Sequence, residues 1–214
     1  MRAPHAIAAT LTAAAALGAA APAQAHGVRA KGDESVLDFL GLGFTHMLTG
    51  WDHLLFIAAV VLLAWHPRRA AGLLSLFALG HSATLIAATL AGWRLSPALV
   101  DLIIAVSVGF VGVVGVKGRP RSFRWFGAAV LAFGLVHGLG LATRFQALSI
   151  PPGGLLSRLL AFNLGVELGQ ILCLYLLYLF GEVLVSTRRW PSIEPKLFTA
   201  LYLVSFVLML AAGR

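Results

Sequence analysis

Histidine stands at position 46 and an Asp-His pair at 52–53, all within one short stretch, G-F-T-H-M-L-T-G-W-D-H-L-L-F. Single histidines follow at 81 and 137, and Asn163, Glu167 and Gln170 recur at i, i+4, i+7, the spacing of one helix face. Imidazole nitrogens combined with carboxylate oxygens suit nickel, cobalt, zinc, copper(II) or iron(II). Thiolate is missing from the set. Cys173 is the only cysteine, which argues against a closed structural zinc site or a copper(I) site and leaves no disulfide framework. A rival chemistry is hydrolysis within the membrane, with Ser82 beside His81 and with Asp52 and the other histidines activating water on zinc. The chain has neither H-E-x-x-H nor a G-x-S-x-G elbow, so that reading is weaker. The set that fits a metal is His46, Asp52, His53, His81, His137 and Glu167, with Asn163 and Gln170 as weaker ligands or as hydrogen-bond partners of the ligands.

The elements that must carry these residues are membrane helices. Of 214 residues, 59% are hydrophobic and 11% charged, and the mean hydropathy is +0.90. A soluble domain is about half apolar and about a quarter charged, so no monomeric sphere could solvate this chain. A net charge of +8 and a pI near 10.8 would suit a nucleic-acid partner, but the cations fall in short clusters between apolar stretches and form no binding face. The partners implied are the lipid bilayer and a metal ion; metalloenzyme-maturation or periplasmic protein partners leave no mark in the sequence.

Residues 1–25 read as a cleavable secretory signal: Arg2, then an Ala/Leu-rich stretch, then Ala23-Gln24-Ala25. Cleavage there makes His26 the new N-terminus, whose amine and imidazole could chelate a metal, although the simpler reading is the start of a polar extracytoplasmic tail over 26–35. Residues 36–214 form an all-α domain, a bundle of six transmembrane helices. The spans fall at 36–65, 70–92, 97–116, 125–145, 155–184 and 197–213, set against the roughly 20 residues a bilayer needs. Ser96 and Pro97 supply an N-cap and a first helical residue, while Pro67, Pro120, Pro151, Pro152, Pro191 and Pro195 fall in connections. The first span is too long for one straight crossing, and Gly50 near its middle predicts a break. Connections bearing Arg68, Arg69, Lys117, Arg119, Arg121, Arg124, Arg188, Arg189 and Lys196 oppose a set with only Arg94, Arg144 and Arg158. The first set is therefore cytoplasmic, and both mature termini lie outside a bacterial-type inner membrane.

A charge at the bilayer centre costs about 2.5–3.5 kcal/mol even on a lenient scale, so these polar side chains must face the bundle interior. His81, His137, Asp52, His53, Glu167 and Gln170 all lie near the middles of their spans. On a straight helix His46 and His53 would sit about 10 Å apart, so one ion takes both only if the helix breaks near Gly50; otherwise they are two stations on one path. Thr49, one turn before His53, is a natural supporting partner. Asp101, near the outer end of its span, reads more simply as an interhelical hydrogen-bonder, and His66 as a boundary residue beside Pro67. Gly134/Gly138 and Gly165/Gly169 are small-xxx-small pairs suited to close helix packing.

Short matches also recur along the chain. G-L-G-F-T-H-M-L-T-G in the first span parallels A-F-G-L-V-H-G-L-G-L in the fourth, and F-A-L-G-H in the second parallels F-N-L-G-V-E in the fifth. Corresponding helices would cross in opposite directions, which suggests a 3+3 inverted repeat, a transporter architecture.

The segment from Gly43 to Phe56 resembles the His-five-residues-Asp-His signature of the HupE/UreJ family, and the resemblance extends over G-H-S at 80–82, V-H-G at 136–138 and F-N-L-G-V-E-L-G-Q at 162–170. Such proteins are small membrane proteins found with hydrogenase and urease systems and regarded as nickel permeases. The family's fourth-span pattern, Phe-His-Gly-x-Ala-His-Gly-x-Glu, is incomplete: Phe133 stands at its first histidine and Gly140 at its glutamate, while Met47 replaces the proline after the first-span histidine. The resemblance implies a variant branch, with a secondary permease for a divalent transition metal, nickel or cobalt first and zinc, copper or iron still open. His46, Asp52 and His53 would capture and relay the ion; His81, His137 and Glu167 would complete a midplane station. The alternatives are a metal-binding accessory or sensor without flux and, further off, the hydrolase. Imidazole must be neutral to bind, so uptake should weaken below about pH 6. No G-x-x-x-x-G-K-[ST] motif is present, so a gradient or a partner must supply any drive.

Overall fold

Serine caps and prolines set the helix starts in the computed structural model of the chain. Residues 35–64, 66–118, 120, 122–148 and 150–186 are described, with 196, 199, 200, 203, 204 and 207 beyond them. The signal segment, His26 and its tail, and most of the expected 197–213 span lie outside the described residues. Helix α1 is Val36–Thr49, and Ser35 caps it reciprocally: its hydroxyl accepts from the Asp38 N–H (3.3 Å) and the Asp38 carboxylate accepts from the Ser35 N–H (2.9 Å). Helix α2 is Trp51–Ala64 and α3 is Pro67–Ala91, which stops at Gly92 in the left-handed region (φ 74°) that glycine alone enters without strain. Helix α4 is Pro97–Val116, started by the Ser96 cap and the proline after it, as its sequence predicts. Helices α5, Phe123–Phe145, and α6, Pro152–Ser186, complete the described set.

All described regular structure is helical. Four helices are each long and apolar enough to cross a bilayer, and α1 with α2 together pass the same test of length and composition as a bent pair. The bend is 64° at Gly50, where the sequence predicts it. Hydrogen bonds from the Gly50 N–H to the His46 carbonyl and from the Leu54 N–H to the Gly50 carbonyl (3.0 Å each) flank the break. Gly50 has an ordinary φ of −75°, so conformational freedom does not account for it. Crowding does. A Cβ there would lie 2.5 Å from His53 Nδ1 and 3.1 Å from both Asp52 Oδ1 and the His46 carbonyl oxygen.

Two helix pairs dominate the packing, α3 on α5 and α1 on α6. In each, glycines let backbone approach backbone: Gly134 faces the Phe77 carbonyl and Gly80 the Leu131 carbonyl, while Gly43 faces the Phe162 carbonyl and Gly165 the Leu40 carbonyl. The remaining core is aromatic and aliphatic, with Phe39, Phe56, Phe126, Phe145 and Phe162 fully buried. The 92–96 connection and residues 146–148 meet at one end of the bundle. There the Leu95 N–H donates to Thr143 Oγ1 (3.1 Å) and Gln146 Nε2 to the Trp93 carbonyl (2.7 Å). The start of α1 joins that end through the Phe39–Phe145 contact (5.8 Å), whereas Arg69 lies over Phe123 (5.2 Å) at the other.

Candidate metal centre

The bend at Gly50 does what a straight helix cannot. His46, in the last turn of α1, and His53, in the first turn of α2, bring their ring centroids to 5.0 Å. From α5 the His137 ring reaches within 5.6 Å of His53, and from α3 the His81 ring within 6.5 Å. Asp52 sits beside them, with Oδ1 at 3.3 Å from His53 Nδ1. Asp52, His53, His81 and His137 are all at most 4% exposed, and His46 is half-buried.

Asp52, His53 and His137 each offer one ligand atom within 4.8 Å of the others. Metal–ligand bonds of 2.0–2.2 Å put two ligand atoms at most about 4.4 Å apart, so small side-chain adjustments close the site on an ion. The carbonyl of Phe133 can only accept, so His137 Nδ1, 2.8 Å away, carries the ring proton and leaves Nε2 with its lone pair. Neither ring nitrogen of His53 or of His81 makes a hydrogen bond among the described residues. A buried polar atom left in that condition costs about 1–3 kcal/mol, so these nitrogens fit a cation far better than they fit a hydrophobic core. Phe77 walls the group, 4.9 Å from the His137 ring and 6.4 Å from that of His53.

A cavity of about 20 Å³ opens among His46, His53, His81 and His137. One water or one metal ion is the occupant that such a space takes. It continues past Val100 and Gly140 to Asp101 and Arg144, which pair at 3.5 Å. Sequence reasoning gave Asp101 an interhelical bond, and the pair with α5 supplies one. It assigned Arg144 only to a connection, whereas the structure aims it into the cavity. Their common closeness to one membrane face was the available signal.

The α6 residues divide. Asn163 and Gln170 are buried, and Asn163 Oδ1 accepts from the Ser82 hydroxyl (3.1 Å), tying α6 to α3. Glu167 is exposed, on the face that bears Leu164, Leu168 and Ile171. The buried stripe of α6 runs through Phe162, Val166, Gly169 and Cys173, and Glu167 lies about 100° round the helix from Val166. The i, i+4, i+7 pattern thus does not put Glu167 with its two neighbours, and none of the three lines the histidine cavity. Thr49 donates to the Thr45 carbonyl (2.8 Å), a bond within its own helix.

These features define a multi-pass helical membrane protein with a buried His/Asp centre at a broken helix. No curated protein and no solved structure matched the chain. A family model described as HupE / UreJ protein matches residues 23–212, and the chain belongs to that family. Membership implies a function related to nickel or cobalt transport, in a family of transporters rather than enzymes.

Proposed function

We propose that the protein is a secondary permease for a divalent transition metal, with nickel or cobalt as the first candidates and zinc, copper or iron as competitors. The observation that carries this reading is the convergence of four buried or half-buried imidazoles on a single cavity, with the Asp52 carboxylate 3.3 Å from His53 Nδ1 and with no hydrogen bond to either ring nitrogen of His53 or His81 among the described residues. Asp52, His53 and His137 form the inner ligand set, and His46 and His81 stand beside it, their rings 5.0 and 6.5 Å from that of His53. Asn163 and Gln170 act from α6 as hydrogen-bond partners, and Glu167 stands apart from the inner set.

The polar tail and both mature termini face the periplasm after signal cleavage, and the basic connections face the cytoplasm of an inner membrane. An inverted repeat underlies the bundle. Support comes from contacts in matching register: Gly43 meets Phe162 as Gly134 meets Phe77, and Gly169 meets Met47 as Gly138 meets Thr84. The ring pairs His46–Phe162 and His137–Phe77 correspond in the same way.

The test is metal flux into proteoliposomes of the mature protein, with Ni, Co, Zn, Cu and Fe compared and His53→Ala and His137→Ala as controls. Saturable flux of one metal, lost in both variants, supports the permease and names its ion. Unchanged flux in the variants sinks these residue roles. Binding without flux favours an accessory or sensor.

A further inference from the structure

The histidine cavity does not end at the histidines. Toward the end of the bundle where the 92–96 connection meets residues 146–148, its wall is made by Asp101 from α4 and Arg144 from α5. Arg144 Nη2 lies 3.5 Å from Asp101 Oδ1, a single long contact rather than a two-pronged clamp. That Asp101 oxygen accepts no hydrogen bond among the described residues. The two side chains are 24% and 31% exposed, far more open than the ligands below them. The walls narrow here: a Cβ on Gly140 would overlap Val100.

Arg144 also has somewhere else to go. It is the penultimate residue of α5, at the negative end of the helix dipole, which favours a cation. Its long stem reaches the membrane surface with ease, as arginines near helix ends do. A cation with two nearby resting places, one of them inside a cation-binding cavity, acts as a stopper.

We infer that Arg144 is a tethered cation that occupies the mouth of the metal cavity by pairing with Asp101, and that an incoming divalent cation must displace it and load on Asp101 before reaching the histidines. This inference rests on the permease reading and adds a gate to it. While the pair is closed, the guanidinium neutralises the one carboxylate at the mouth and repels a dication. When Arg144 swings outward, Asp101 becomes an oxygen ligand that strips part of the ion's hydration. A mere staple between α4 and α5 would not need to line the cavity, and it would leave metal entry untouched.

The test is stopped-flow association of Co²⁺ with the full chain in lipid nanodiscs, followed through the visible absorption of cobalt in a nitrogen and oxygen site. Arg144→Gln should raise the association rate about tenfold or more, the scale of removing a like charge from a focused entrance. Arg144→Lys keeps a cation and should remain near the wild-type rate. Asp101→Asn should slow association, and in that background Arg144→Gln should add nothing. An intact cobalt spectrum with an unchanged or slower rate in Arg144→Gln overturns the gate and leaves a staple. Should Arg144→Gln fail to fold, Asp101→Asn decides alone, and an unchanged or faster rate overturns the proposal. Absence of a cobalt spectrum in the wild-type protein overturns the metal reading and the gate with it, before any variant is compared.

Discussion

Gly50→Ala puts one methyl group at the point where α1 and α2 part, and the structure says what it meets. Its Cβ would stand 2.5 Å from His53 Nδ1 and 3.1 Å from Asp52 Oδ1. Ordinary contact begins near 3.4 Å, so the imidazole must retreat by about 0.9 Å. A metal site tolerates only about 0.5 Å of ligand displacement, so His53 leaves the coordination sphere or the helix rotates to keep it. Disturbing one orienting interaction typically lowers metal affinity by about 10–100-fold, or about 1.4–2.7 kcal/mol, and moving a ligand itself belongs at the upper end. The backbone raises no objection. With φ at −75°, alanine is allowed, and reduced freedom of the unfolded chain would give back about 0.4–1 kcal/mol. Gly50→Ala should therefore bind Co²⁺ about 100-fold more weakly, while its unfolding temperature without metal stays within a few degrees of wild type. Isothermal titration and a thermal scan read the two quantities separately. Gly72→Ala is the control, because a Cβ there meets nothing within 4 Å. An unchanged dissociation constant, or a loss of binding that merely follows a loss of stability, refutes the argument that Gly50 is kept small for its neighbouring ligands.

Three further outcomes are expected. His81→Leu should leave the metal-free protein as stable or more so, because it removes two buried nitrogens that make no hydrogen bond among the described residues, and should weaken cobalt binding about tenfold or more. A large loss of metal-free stability would mean that His81 is a structural hydrogen-bonder instead. Gly134→Ala should destabilise by about 1–3 kcal/mol, since its Cβ would overlap the Phe77 carbonyl; an unaltered unfolding temperature would contradict that crossing. Ser82→Ala should cost about 1 kcal/mol through the lost bond to Asn163, and a change in which metal is carried would show that Asn163 is more than a tie between α3 and α6.

Much of the centre is legible in the chain because charge is so scarce there. In a helix of apolar residues each imidazole or carboxylate stands out, and the cost of exposing it to lipid points it inward. The break at Gly50 could also be anticipated, since 30 residues from 36 to 65 exceed one straight crossing and the glycine falls between two ligands. Glu167 shows the limit. When a helix is apolar on every side, periodicity groups Asn163, Glu167 and Gln170 but does not say where the buried stripe ends, and docking on α1 through Gly165 and Gly169 puts that edge between Glu167 and the other two. Arg144 was hidden for a related reason. Proximity to a helix end marks an arginine as a boundary residue, and only the approach of α4 to α5 turns it toward Asp101.

The glycine crossings divide the bundle into two stiff scissor blades, α1 with α6 and α3 with α5, each locked by backbone lying on backbone. His46 is fixed to one blade and His81 and His137 to the other, while Asp52 and His53 ride on the bent joint that leaves α1. Opening or closing the scissors changes the span between His46 and the α5 nitrogen while the distances within each blade hold. In the proposed permease, the grip on an ion would then follow one angle.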